Sequence, residues 1–255
     1  MDQLLIGIWQ PAPLQPFYIF RHRNGAAGRD FAESRVLSIW GMGFAAELVV
    51  SLGEFVDQKR MRVIAGKYRS RRLRSLPGTD VRPTADRLRE TLFDVLTAGN
   101  PAALEATVWL DLYAGTGAVG IEALSRGAAK VYFVDAAAAA AELIRANCAA
   151  LGIESGFQVL KLDVPRALRQ LQTAGINADF VFLDPPYRMQ TAYAQVLQVL
   201  SQSQFLKPQG KVIAEHPRKF DPGGNFGPFQ RYRKLEQGDA ALSFYRREAG
   251  MPEIN

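Results

Sequence analysis

The chain has 255 residues, 48% of them hydrophobic and 22% charged, which is enough apolar material for a packed globular core. Lys and Arg total 31 against 25 Asp and Glu, and the formal net charge of +6 favours a polyanionic partner. The single cysteine, Cys148, excludes an internal disulfide framework and any multi-cysteine metal site, and is in keeping with a reducing compartment.

No stretch approaches the roughly 20 apolar residues that a membrane-spanning helix needs. The start Met1-Asp2-Gln3 lacks the basic segment of a secretory signal. The expectation is a cytoplasmic monomer with no membrane partner.

Residues 1–60 hold prolines, glycines and scattered aromatics, then a candidate amphipathic helix over 44–56, and carry no recognisable chemistry. Residues 61–100 are a basic segment. Its strand candidates, 62–65 and 71–74, flank a turn containing Gly66, and a helix is predicted over 84–96 with Leu88, Leu92, Phe93 and Leu96 on one face. Arg62, Lys67, Arg69, Arg71, Arg72 and Arg74 crowd around Tyr68, dense enough to neutralise several phosphates of a nucleic acid. They are candidate RNA-binding residues, and Arg82 is carried with them. Arg82, Arg87 and Arg89 have an alternative role, pairing with Asp86 or Glu90 to fix the helix.

From Thr107 onward strand and helix signals alternate. Apolar runs over 108–112, 130–134, 157–162, 180–183 and 211–215 are separated by helical stretches such as 119–126 and 136–151. This predicts a doubly wound α/β fold, a mostly parallel sheet with helices on both faces. The last two runs, 229–235 and 241–247, have no helix between them and read as an antiparallel hairpin closing the sheet. The stretch 221–228 reads as loop punctuation before it.

Asp111-Leu-Tyr113-Ala-Gly115-Thr-Gly117-Ala-Val-Gly120 follows the first parallel strand and opens a helix, so its glycines let backbone approach a ligand. The glycines alone fit either a nicotinamide dinucleotide or S-adenosylmethionine, and Asp135, at the end of the second strand, suits a ribose hydroxyl of either. Asp111 tilts the choice: a carboxylate before the turn would repel a pyrophosphate and attract a cationic amino-acid group. Asp163, at the end of the third strand, is a candidate contact for an adenine amine, or alternatively a helix N-cap. The candidate cofactor residues are Asp111, Tyr113, Gly115, Gly117, Asp135 and Asp163.

Phe180-Val-Phe-Leu183 reads as a buried strand, and Asp184-Pro185-Pro186-Tyr187 follows it at the edge where open α/β sheets bind ligands. Two prolines remove two backbone donors and stiffen the turn, leaving a pocket rich in acceptors. Such a pocket suits an exocyclic amine. Hydrogen bonds from the amine to the Asp184 carboxylate and the Pro185 carbonyl would free its delocalised lone pair, while Tyr187 stacks on the base. These four residues are the candidate catalytic set, and the chemistry asks for no metal.

Arg82-Pro-Thr84, Asp86-Arg87, Arg89-Glu-Thr-Leu-Phe93, the loop from Asp111 to Gly120 and Asp184-Pro-Pro-Tyr187, in this order and spacing, resemble the bacterial family of small-subunit (16S) ribosomal RNA guanine-N2 methyltransferases. The similarity covers about residues 61–248. It implies a Rossmann-like class I methyltransferase with a seven-stranded sheet and a small basic N-terminal hairpin that docks RNA. It also implies S-adenosylmethionine as cofactor, S-adenosylhomocysteine as product, and 16S rRNA in a small ribosomal subunit or assembly intermediate as substrate. Tyr187 stands where the family often has phenylalanine, which keeps the stacking face. Asp135-Ala-Ala137 stands where many relatives have a second acid, so the ribose contact rests on Asp135. Four parts are expected: a dispensable extension over 1–60 ahead of a natural start at Met61, the RNA-docking part over 61–100, the methyltransferase domain over 101–248 and a tail over 249–255.

Overall fold

The computed structural model describes residues 61–75 and 83–248. The expected extension, its helix over 44–56, Arg82 and the tail lie outside the described residues.

Helix α1 (Pro83–Thr97) precedes a run of alternating strands and helices: β1 (Val108–Leu112), α2 (Ala118–Ser125), β2 (Lys130–Val134), α3 (Ala138–Leu151), β3 (Phe157–Leu160), α4 (Val164–Thr173), β4 (Ala178–Leu183), α5 (Gln190–Ser201) and β5 (Leu206–Pro217). Three strands close the fold without intervening helices, β6 (Asn225–Phe226), β7 (Phe229–Gln237) and β8 (Ala240–Arg247). The sheet order is β3-β2-β1-β4-β5-β8-β7-β6. Pairings from β3 to β5 are parallel, and those from β5 to β6 antiparallel. The expected doubly wound sheet with an antiparallel hairpin is present, with one strand more than the seven expected. Asn225–Phe226 lies in the stretch read as loop punctuation, where Gly227, at φ 56, turns the chain back so that Phe226 pairs with Phe229.

Period-two alternation divides the strands between two cores. Trp109, Phe133, Phe180, Phe182, Ile213 and Phe244 pack on one face with Leu88, Leu92 and Phe93 of α1, Ile121 of α2 and Ile144 of α3. Leu110, Leu112, Val181, Leu183, Val212 and Tyr245 pack on the other with Leu168 of α4 and Tyr193 and Leu197 of α5. Phe93, Trp109 and Phe180 form a ring column in the first core, with centroids 5.5 and 4.6 Å apart. Both sheet faces are therefore dry. That explains why the parallel strands read as unbroken apolar runs rather than as alternating ones. Among the described residues no helix is long and apolar enough to cross a membrane.

The basic segment folds back on itself as the expected hairpin, shorter than the runs 62–65 and 71–74: Arg62 bridges Arg72 antiparallel, Val63 N donates to the Arg71 carbonyl and Leu73 N to the Met61 carbonyl, both at 2.9 Å. The pairing stops there because of where the next donors go. Ile64 N and Ala65 N donate to Glu122 Oε2 and Oε1 at 2.7 and 2.9 Å, and Lys67 N donates to the Ser125 carbonyl at 2.7 Å, so α2 takes hydrogen bonds that a partner strand would otherwise receive. Gly66, at φ 78, makes this approach possible, because a Cβ there would lie 1.9 Å from the Ser125 oxygen. Val63 and Leu73 anchor the segment in the first core.

Glu122 is fully buried and also pairs with Arg126 Nε at 2.8 Å. Glu122→Ala would strand two backbone donors and one guanidinium, and is expected to destabilise the fold by about 3 kcal/mol. Denaturant midpoints of the two proteins check this. A loss under about 1 kcal/mol would mean that water replaces the carboxylate.

Candidate active site

The carboxyl ends of β1, β4 and β5 bring three acids together. Leu183 pairs with Ala214 in the β4–β5 register, so the next residues, Asp184 and Glu215, stand abreast on adjoining strands. Phe182 and Ile213 face the α1–α3 core, and alternation turns Asp184 and Glu215 to that same face. Asp111, inside β1, points there too and accepts from Gly120 N at 2.9 Å with Oδ2.

Burial and mutual repulsion set the electrostatics. Burial pushes the Asp111 carboxyl up to about 7, opposed by the Gly120 N–H and helped by the charge on Asp135. Asp184 and Glu215 keep an opening to solvent, yet most of their surroundings are protein. Asp184 is held well above the usual carboxylate range by burial, then by Glu215 and Asp111. Glu215 rises to about 7 through burial, with the positive charge of Arg89 acting against the rise. Arg89 is itself buried: its Nη2 donates to the Arg62 carbonyl at 2.6 Å and to Asp86 Oδ1 at 3.0 Å, while its Nε has no hydrogen-bond partner. Tyr193 donates through its hydroxyl to the Glu215 carbonyl at 2.8 Å, and burial and the charge on Asp184 push that phenol up.

The glycine loop lies beside this cluster. Tyr113 takes a left-handed φ of 61, rare for a side-chain-bearing residue and costing about 1 to 3 kcal/mol, so the surrounding loop must hold it there. Gly115 and Gly117 continue at φ 54 and 76. The glycines do different work. A Cβ on Gly115 would meet nothing nearer than 4.0 Å, leaving open space on its outer side, whereas a Cβ on Gly120 would strike the Phe133 ring at 2.3 Å. Gly120 thus lets α2 pack on β2.

Asp135 braces this loop: its Oδ2 accepts from Gly115 N at 2.9 Å and its Oδ1 from Ala137 N at 2.8 Å. Asp163 caps α4, accepting from Arg166 N at 2.9 Å, which is the cap role weighed from sequence. It also lies close enough to Tyr113 for its charge to push that phenol up, second to burial.

In the tetrapeptide Pro185 is buried and Pro186 exposed, and the Pro186 carbonyl accepts from Met189 N at 2.7 Å to close the turn. The Tyr187 side chain is 49% exposed at the mouth. Arg62, Lys67, Arg69, Arg71, Arg72 and Arg74 are all exposed, and Arg71 donates to the Ala150 carbonyl at 2.8 Å. Buried Asn147 ties this segment to the glycine loop, its Oδ1 accepting from Arg74 N at 2.8 Å and its Nδ2 donating to the carbonyls of Arg74 and Thr116 at 3.1 and 3.0 Å.

Sequence reading placed Asp111, Tyr113, Gly115, Gly117, Asp135, Asp163, Asp184 and Tyr187 at one sheet edge, and the structure brings them there. It missed Glu215 as a site residue, noting it only as a strand end, and weighed Arg89 only as a helix-pairing residue. Aligning the end of the run 211–215 with the end of the run 180–183, one residue short of Asp184, would have exposed Glu215. Among the described residues no group of three or more His, Cys, Asp or Glu side chains is arranged to hold a metal ion. The acid set fits a cationic ligand better than a pyrophosphate, and Gly115 leaves room for one.

The family described as Conserved hypothetical protein 95 matches residues 61–246. The YlbH protein of Bacillus subtilis (strain 168) is 33% identical over 187 residues, 73% of this chain and 99% of the relative. The Escherichia coli (strain K12) protein named Ribosomal RNA small subunit methyltransferase D is 30% identical over 190 residues, 74% of this chain and 91% of the relative. A solved structure from Thermus thermophilus, of a hypothetical protein, superposes with a TM-score of 0.60 at 28% identity, covering 72% of this chain and 98% of that one.

Asp111 holds its proton more tightly folded than unfolded, so its contribution to stability is full below the ordinary carboxylate range and is lost as pH rises toward about 7. Asp111→Asn keeps an acceptor for Gly120 N and removes the ionisation. The variant is expected to lose less stability than the parent between pH 5 and 8, read from denaturant midpoints at both values. Equal losses would place the carboxylate in water.

Proposed function

The chain belongs to the Conserved hypothetical protein 95 family, that of the small-subunit methyltransferase D proteins, and on that premise we propose that it methylates the exocyclic N2 amine of a guanine in 16S rRNA, using S-adenosylmethionine. The observation that supports this reading is the placement of the Asp184-Pro185-Pro186-Tyr187 turn beside the end of β1, where the glycine loop begins, with Asp184 N donating to the Leu112 carbonyl at 3.4 Å. The RNA is presented within a small ribosomal subunit or an assembly intermediate.

S-adenosylmethionine, when bound, supplies an electrophilic methyl group on a cationic sulfur. Asp111, Tyr113, Gly115, Gly117, Asp135 and Asp163 are the residues that would hold it, with the acids matched to its positive charge and its hydroxyls. Asp184 and the Pro185 carbonyl accept the two N–H groups of the guanine amine, which draws the nitrogen toward tetrahedral geometry and localises its lone pair. The new N–C bond would replace the methyl–sulfur bond, whose electron pair stays with S-adenosylhomocysteine, and the nitrogen would shed one proton to the Asp184 carboxylate, whose raised proton affinity suits that task. Tyr187 stacks on the base, which must leave its helix to enter the turn. Positioning supplies much of the rate.

The six exposed cations of 61–75 give the RNA a surface whose backbone is tied to the glycine loop through buried Asn147. The part over 61–100, the methyltransferase part over 101–248 and a dispensable 1–60 are proposed on the same reading.

Asp184→Ala is expected to lower methyl transfer to undermethylated small ribosomal subunits more than about 100-fold. Labelled S-adenosylmethionine and nucleoside analysis read this out, with the label of the parent in N2-methylguanosine. A variant within fivefold of the parent would remove Asp184 from the chemistry. Arg69→Ala with Arg72→Ala, which spares the Arg71 contact to α3, should weaken RNA binding and flatten its salt dependence by about 1.5 logarithmic units of slope. An unchanged slope would move the docking surface elsewhere.

A further inference from the structure

We infer that Glu215 is the residue that selects guanine: it stands beside Asp184 to accept the N1–H of the same base whose N2–H Asp184 accepts, with Arg89 behind it as a positioning residue. This rests on the guanine-N2 reading above and deepens it.

The argument starts from register. Leu183 and Ala214 are paired neighbours, so Asp184 and Glu215 leave adjoining strands, about 4.8 Å apart, on the same side of the sheet. Guanine carries two kinds of donor side by side on one edge, N1–H and N2–H. Two carboxylates abreast match that edge, one to each donor. Adenine offers an N–H group beside an N1 lone pair instead, and a carboxylate facing a lone pair leaves two acceptors opposed in a desolvated place. A site built to receive an N–H rejects an analogue lacking it far more strongly than an apolar pocket rejects a missing methylene. The acceptor turn at Asp184 does not by itself separate the two bases, since both bring an exocyclic amine.

Arg89 completes the arrangement. It is buried, it is anchored at Nη2 by the Arg62 carbonyl and Asp86, and its Nε is left without a hydrogen-bond partner. Its charge is felt by Glu215 and favours the ionised form there, the form that accepts N1–H. Tyr193, bonded to the Glu215 carbonyl at 2.8 Å, fixes the backbone from the opposite face of the sheet.

The test uses the full chain, labelled S-adenosylmethionine and undermethylated small ribosomal subunits, with Glu215→Gln and Glu215→Asp beside the parent. Glu215→Gln keeps the shape and loses the charge, whereas Glu215→Asp keeps the charge and shortens the arm. The expected result is at least a tenfold fall in kcat/KM for N2-methylguanosine formation in Glu215→Gln, an unchanged Kd for S-adenosylmethionine, and Glu215→Asp retaining more activity than Glu215→Gln. A merely structural part would reverse that order, because glutamine fills the same space. Activity of Glu215→Gln within twofold of the parent, the reversed order, or a tenfold weaker cofactor Kd would each overturn the assignment. A parent enzyme whose label falls in N6-methyladenosine, or in no guanine, would instead remove the guanine-N2 reading beneath it.

Discussion

Parallel pairing of β1, β4 and β5 sets Asp111, Asp184 and Glu215 on one face of one sheet edge, where water is scarce and each raises the other's proton affinity or is raised by it. Such a cluster is costly unless something cationic or proton-donating comes to it. Of the three, Glu215 feels the opposing charge of Arg89, whereas Asp111 is relieved by a backbone N–H. The rest of the site can be understood as the means of keeping this edge acidic, open and shaped for a ligand. The left-handed turn from Tyr113 to Gly117 opens space next to it, the double proline stiffens the other wall, and the two dry cores hold the strands in register.

The basic segment depends on the same frame. It is a short hairpin, held by Val63 and Leu73 in the first core and by three polar side chains of the helices beneath it: Glu122 and Ser125 on α2, and Asn147 on α3. Because the Asn147 amide also reaches the Thr116 carbonyl, the exposed arginines and the glycine loop share one anchor. A substrate bound on the arginines, as proposed, would thereby be registered against the loop without a flexible linker between them. Gly66 is the local condition for this, since any side chain there would collide with α2.

Much of this was legible in the sequence, for identifiable reasons. Strands dry on both faces read as apolar runs, and a glycine loop or a double proline after such a run marks the functional edge whatever else the chain contains. The two parts that were not legible are long-range. The hairpin read from 62–65 and 71–74 is present but short, because Glu122 and Ser125, more than fifty residues away, take the donors nearest its turn, and no local pattern announces that. Glu215 escaped notice because its meaning lies in β4–β5 register rather than in any motif around it, and Arg89 because its partner charge lies across the sheet edge. Asp163 shows the converse: one residue satisfies a local rule, capping α4, while standing beside the loop residue Tyr113.

The central claim is that this edge is an acidic pocket waiting for a cation. Calorimetric titration of S-adenosylmethionine into the full chain near pH 7, in two buffers of different ionisation heat, tests it most directly. Binding of the cation should drive protons off the carboxylates, so the apparent heat should depend on the buffer, and more so than with S-adenosylhomocysteine, which lacks the sulfonium charge. Heats that are the same in both buffers for both ligands would mean that Asp111 and the acids beside it do not sense the charge of the cofactor.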